Sequence, residues 1–147
     1  MEELGQLRVF VSECYSPFYQ DINRNKIFNQ NSEFFVFCAL IGDKYDKSIS
    51  VESRHEICRA ISLTNTDKTI IKTIYFNKKQ KLNSAKEMIR FVEEYANGGL
   101  DFLVREILAG LVIKSSDNSI TVKTGYENEL LLTLSKYVLK ETQEVPF

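Results

Sequence analysis

One histidine and three cysteines among 147 residues set the ceiling on nucleophilic chemistry. A Ser-His-Asp or Cys-His arrangement needs a base to take the nucleophile's proton, so only His55 could serve. His55 stands among Glu52, Arg54, Glu56 and Arg59, which reads as a solvated helix start and not as a cleft. Cys14, Cys38 and Cys58 are too few and too far apart for a disulfide framework. No Cys-x-x-Cys or Cys-x-x-His spacing suggests zinc. Cys38, inside FFVFCALI, reads as a small buried apolar residue. The carboxylates come in pairs, Asp43/Asp46, Glu52/Glu56, Glu93/Glu94 and Glu127/Glu129. General acid–base work needs two carboxyls in different environments, and all four pairs read as solvated faces. There is no phosphate loop between a strand and a helix, and no HExxH. The expectation is a protein that is not an enzyme, with no metal and no cofactor.

Positive charge is the feature that could act on a ligand. Lys68, Lys72, Lys78, Lys79, Lys81 and Lys86 lie in a stretch that holds no Asp or Glu, with Tyr75 and Phe76 between them. Clustered lysines beside aromatics can track a phosphate backbone or meet an acidic partner. They also fit a solvated helix end, where the dipole favours cations. The overall charge of −1 argues against a strongly basic nucleic-acid domain. No helix shows the outward Arg, Asn and Gln of a recognition helix. Aromatics make up 12% of the chain and are enriched at interfaces. Phe34, Phe35, Tyr45, Tyr75 and Phe76 are the candidates for a partner interface.

The elements that must position these groups come next. The length suits one domain, residues 1–147, and 44% hydrophobic with 27% charged residues is ordinary for a globular chain. Residues 4–19 allow either a strand or a helix. Ser16 and Pro17 start a helix through Ile22, and an Asn-rich connection follows, so residues 1–30 read as a less regular segment. FFVFCALIG fits a buried strand or a buried helix by periodicity, the capping residues Asn31 or Ser32 and the following Gly42 favour helix, and 43–50 is a polar turn. Ile57, Cys58, Ala60 and Ile61 predict a short helix over 53–63. Ile70, Ile71, Ile74 and Tyr75 share a helical face after an Asn65-Thr66-Asp67 cap cluster, while β-branching leaves strand open for 68–76.

Ser84 and Glu87 have capping-box spacing before a stripe of Met88, Ile89, Phe91, Val92, Tyr95 and Ala96. Asn97, Gly98 and Gly99 are expected to stop that helix at a structural corner, with an apolar helix over 101–112 paired against it. Alternation at Ile120 and Val122 predicts a small β-hairpin near 113–123. A last helix spans 126–140 with Leu130, Leu131, Leu134, Tyr137 and Val138 inward, and 142–147 is a frayed tail. The expected fold is mainly α, a single compact helical domain of five or six helices. The longest apolar run, eight residues, is far short of the roughly 20 that span a bilayer, so no membrane segment is expected, and the sparse cysteines point to reduced thiols and a cytoplasmic location.

Two stretches carry a likeness, residues 32–45 (SEFFVFCALIGDKY) and 92–103 (VEEYANGGLDFL). An apolar helix closing in a Gly-x-Lys turn, then an acidic corner opening another apolar helix, resembles small accessory proteins of bacterial anti-phage defence loci. The nearest are the small proteins accompanying Dnd-type DNA phosphorothioation systems. Small third subunits that accompany SMC-like ATPases in Lamassu-type systems are similar. The likeness covers roughly residues 31–111, and Tyr45-Asp46 replaces the further basic residues usual after Gly-x-Lys. It implies a non-catalytic accessory or bridging subunit of a defence complex acting on DNA. It also implies a larger protein partner, an SMC-like ATPase or nuclease, with DNA reached through the complex. The alternative is a stand-alone nucleic-acid-binding or regulatory module using the lysines at 68–86.

Overall fold

The computed structural model describes residues 6–143, with side chains through residue 140. Its elements in order are β1 (Arg8–Ser12), α1 (Ser16–Arg24), α2 (Asn31–Lys44), β2 (Arg54–Arg59), α3 (Asn65–Lys79), α4 (Ala85–Phe102), β3 (Val112–Lys114), β4 (Ile120–Val122) and α5 (Glu127–Gln143). The fold is mainly α, with five helices and two small antiparallel two-stranded sheets. No helix among the described residues is long and apolar enough to cross a membrane.

The core is built on α2 against α4. Phe34, Phe35, Cys38 and Ala39 of α2 are wholly buried, as expected for a helix apolar nearly all round. Glycines set how closely the pair packs. A Cβ on Gly99 would run into the Cys38 carbonyl, and one on Gly42 into the Tyr95 carbonyl. Gly98 faces the Lys47 carbonyl in the same way. The expected corner is therefore not there: α4 runs straight through Asn97, Gly98 and Gly99 to Phe102. The doublet is a seam against α2 and the backbone that follows it, which is why it must lack side chains.

The chain turns later, through a π turn over Leu103–Ile107 closed by the Leu108 N–H on the Leu103 carbonyl at 2.8 Å. This wider turn lets both Leu103 and Leu108 reach the core, where each is fully buried. The apolar run 101–112 is thus a helix end, a π turn and a strand start, not a second helix.

Residues 53–63 are also not helical. β2 pairs with β1 from Arg8↔Arg59 to Ser12↔Arg54, with a bulge after Val9. Val9 and Val11 are buried, so β1 needs a partner strand, and that pairing overrides the local pattern of β2. The register passes over Ile57, whose carbonyl accepts the Asn31 side-chain amide at 3.0 Å. Asn31 therefore serves the sheet. Gln30 stands at the helix cap, its N–H donating to the Glu33 carboxylate at 3.1 Å.

α3 is helical throughout, which settles the open choice at 68–76. Thr64 and Asp67 cap it reciprocally: each side chain accepts the other's backbone N–H at 3.0 Å. Pro17 sits in the first turn of α1 as anticipated, and 8–24 is regular rather than loose. The hairpin of β3 and β4 falls where alternation placed it. α5 buries Leu130, Leu134 and Tyr137, while Leu131 and Val138 face out, so its inward stripe is narrower than expected. Residues 142 and 143 belong to α5, and the rest of the tail lies outside the described residues.

Candidate functional site

The six lysines do not form one patch. Lys78 turns toward the end of α2, 3.5 Å from Asp43 and 3.2 Å from Asp46, with its ammonium 5.4 Å from the Tyr95 ring centre. Its hydrogen bond to Asp46 raises its pKa. Lys79 lies over the Phe91 ring at 5.0 Å. The acids missing from the local sequence are supplied from a distance, by Asp43 in the last turn of α2 and Asp46 just beyond it.

Lys68 and Lys72, one turn apart on α3, go elsewhere. They border a groove of about 300 Å³ between α3 and α4. Its floor is Ala60, Leu63, Ile71, Ala85, Met88 and Ile89. The two alanines leave the space, and the longer side chains, mostly sunk in the core, close it from below. Ile61, Phe76 and Leu82, from the same stretch of chain, are exposed. Lys81 follows α3 and Lys86 sits in the first turn of α4. None of the described carboxylates pairs with Lys68, Lys72, Lys81 or Lys86.

The aromatic candidates divide sharply. Phe34, Phe35 and Tyr75 are buried, Tyr75 lying edge-on to Phe91 at 5.2 Å, so these three are core and not partner surface. Tyr45 stacks on Phe102 at 4.3 Å and is partly open, and Phe76 is 45% exposed. Asn97 is buried. Its amide donates to Ser12 Oγ at 2.8 Å, and that oxygen also accepts the Glu52 N–H at 2.9 Å. It ties α4 to β1 and to the segment before β2.

One carboxylate read as solvated is not. Glu93 is 2% exposed and accepts the Phe10 N–H at 2.8 Å and the Arg90 guanidinium at 2.6 Å. Burial pushes its pKa up to about 7, against the downward pull of the Phe10 N–H and Arg90. Arg90 also donates to the Arg8 carbonyl at 3.0 Å, so the pair satisfies one edge of β1. The Phe10 ring lies 3.9 Å from the Arg54 guanidinium and 5.0 Å from that of Arg90. A signal for Glu93 exists: position 93 falls inside the apolar arc of Ile89, Val92 and Ala96, with an arginine one turn before it.

His55 is exposed on β2. Burial raises all three thiols, Cys58 to about 12, which disfavours thiolate at neutral pH. Among the described residues no group of three His, Cys, Asp or Glu side chains could hold a metal.

A family model described as DNA sulphur modification system-associated protein 4 matches residues 12–144. The chain belongs to that family. No curated protein matches the chain, and no solved structure does. Membership agrees with the likeness to the small proteins of Dnd-type systems, whereas the Lamassu-type likeness gains nothing from it. The matched span holds the α2–α4 seam, the six lysines and the groove. By its description, a DNA sulphur modification system-associated protein is an accessory of a DNA-acting system and has partner proteins in that system.

Proposed function

We propose that this chain is a non-catalytic accessory subunit that binds a larger protein of its DNA sulphur modification system, an ATPase or nuclease. It works in the cytoplasm, within an anti-phage defence complex that meets DNA. The observation that supports this is the groove bordered by Lys68 and Lys72, an aliphatic floor beside cations with no carboxylate partner among the described residues. Protein interfaces combine such an apolar centre with a polar rim.

A second reading, a stand-alone nucleic-acid-binding module, draws on the same lysines. It is weakened by Lys78 and Lys79, which are engaged within the chain, and by the net charge of −1. The test is affinity purification of the tagged chain expressed from its native operon. Stoichiometric recovery of another protein of the system is expected. Recovery of the chain alone, with steeply salt-dependent binding to duplex DNA, would reject the subunit reading in favour of the second.

A further inference from the structure

We infer that the α3–α4 groove takes an acidic amphipathic segment of the partner protein, its aliphatic side chains over Ile71, Met88 and Ile89 and its carboxylates on Lys68 and Lys72. This rests on the subunit reading above and names the chemistry of what that subunit binds.

Size argues first. At about 300 Å³ the groove is at the low end of ligand pockets, fit for a few side chains of one segment rather than for a broad domain face. The floor argues next. It is aliphatic, with no aromatic ring on which a base could stack, and a phosphate backbone gains nothing from Met88 or Ile89. Charge complementarity decides the sign. The groove lining holds two lysines, Lys68 and Lys72, and no acid. The acid just before them, Asp67, is buried and occupied by the Thr64 cap. Glu87 is exposed but does not line the groove. Lys68 and Lys72 stand four residues apart on α3, about 6 Å along the axis, so two carboxylates of one short segment can engage both. An apolar segment without acids would leave that rim unused, and an acidic segment without apolar residues would leave the floor wet.

The test uses the full-length chain and the purified proteins of its sulphur modification system, titrated one at a time by calorimetry. Two variants probe the groove. Lys68→Glu with Lys72→Glu reverses the rim. Ala85→Glu puts a carboxylate on the floor at the first residue of α4, where an acid suits the helix dipole and the fold is kept. Leu139→Glu, on the exposed side of α5, is the control. We expect each groove variant to weaken partner binding by about tenfold or more, the control to leave it unchanged, and residues 63–72 and 85–89 to exchange amide hydrogens more slowly in the complex. A partner bound equally well by both groove variants would overturn the groove assignment and leave the subunit reading standing. Failure of every protein of the system to bind would overturn both. Lysine-dependent binding of a short DNA duplex, or self-association through this groove, would replace the acidic segment with another occupant.

Discussion

Gly99→Ala should destabilise the protein even though alanine is the better helix former. In a helix interior the exchange alone gains about 1 kcal/mol. Against that stands the position of the new methyl group, inside contact distance of the Cys38 carbonyl and close to the Gly42 nitrogen. Overpacking a core costs roughly 1–3 kcal/mol when side chains can yield. Here the obstacle is backbone, and α2 is buried nearly all round, so only separation of the two helices relieves the clash. Taking the upper end, about 3 kcal/mol, the net loss is about 2 kcal/mol. For a chain of 147 residues that corresponds to a fall in Tm of roughly 4–8 °C. Gly98→Ala should behave alike against the Lys47 carbonyl. The double variant should lose less than the sum, because the first displacement makes room for the second methyl. Thermal unfolding by circular dichroism, with urea titration as a second measure, reads all three. Gly110→Ala is the contrast: its φ of 88° strains any side chain, but nothing lies nearby to be struck. An unchanged or higher Tm for Gly99→Ala would refute the close α2–α4 crossing.

Glu93 gives a pH dependence with a definite sign. Its pKa in the fold, about 7, stands above the ordinary 4.5, so the folded protein holds this proton more tightly than the unfolded chain. That contribution is complete below about pH 4.5 and is lost as pH rises through 7. Stability of the natural chain relative to Glu93→Gln should therefore increase from pH 8 to pH 5, by up to about 3 kcal/mol. Urea unfolding at a series of pH values checks this, and the opposite slope would mean that Arg90 holds the carboxylate ionised. Asp21→Ala should leave the buried Val122 N–H without its acceptor, now at 2.9 Å, and cost about 1–3 kcal/mol. Amide exchange at Val122 should speed up; unchanged exchange would rule out the anchoring role of Asp21.

What could be read from the residues follows from how local each signal is. Pro17 at the start of α1, Ser84 at the cap of α4 and the alternation of Ile120 and Val122 act within a few residues, and these elements stand where expected. β2 was illegible because its stabilising partner, β1, lies far away in sequence and imposes its own geometry. Gly98 and Gly99 carry the local signature of a stop, and only the facing carbonyls of Lys47 and Cys38 reveal a packing seam. Residue type cannot separate core from surface for Phe34 and Phe76, and the structure sends them opposite ways. For the site, the lysines were visible but their division was not. The acids that capture Lys78 come from the last turn of α2 and the residues just after it, and the groove floor needs α3 and α4 to be placed side by side.

Two carboxylates play one part in this fold, and that part bears on function. Asp21 of α1 accepts the Val122 N–H of β4, and Glu93 of α4 accepts the Phe10 N–H of β1. Each has an arginine three residues away, Arg24 and Arg90. Two-stranded ribbons are marginal alone, and their open edges invite unwanted pairing. A helix carboxylate supplies each ribbon with a fixed acceptor. For α4 the consequence reaches further. The helix is fixed to β1 through Glu93 and Arg90, to Ser12 through Asn97, to α2 through Gly99, and to the segment just after α2 through Gly98. Its first turns, held by the same helix, present Met88 and Ile89 to the groove. A floor already immobile loses little entropy when a partner segment settles on it, so more of the contact energy remains as affinity. The seam and the buried carboxylate therefore serve the groove without touching what binds there. Gly99→Ala should accordingly weaken partner binding as well as lower Tm, and the two losses should track each other across the Gly98 and Gly99 series.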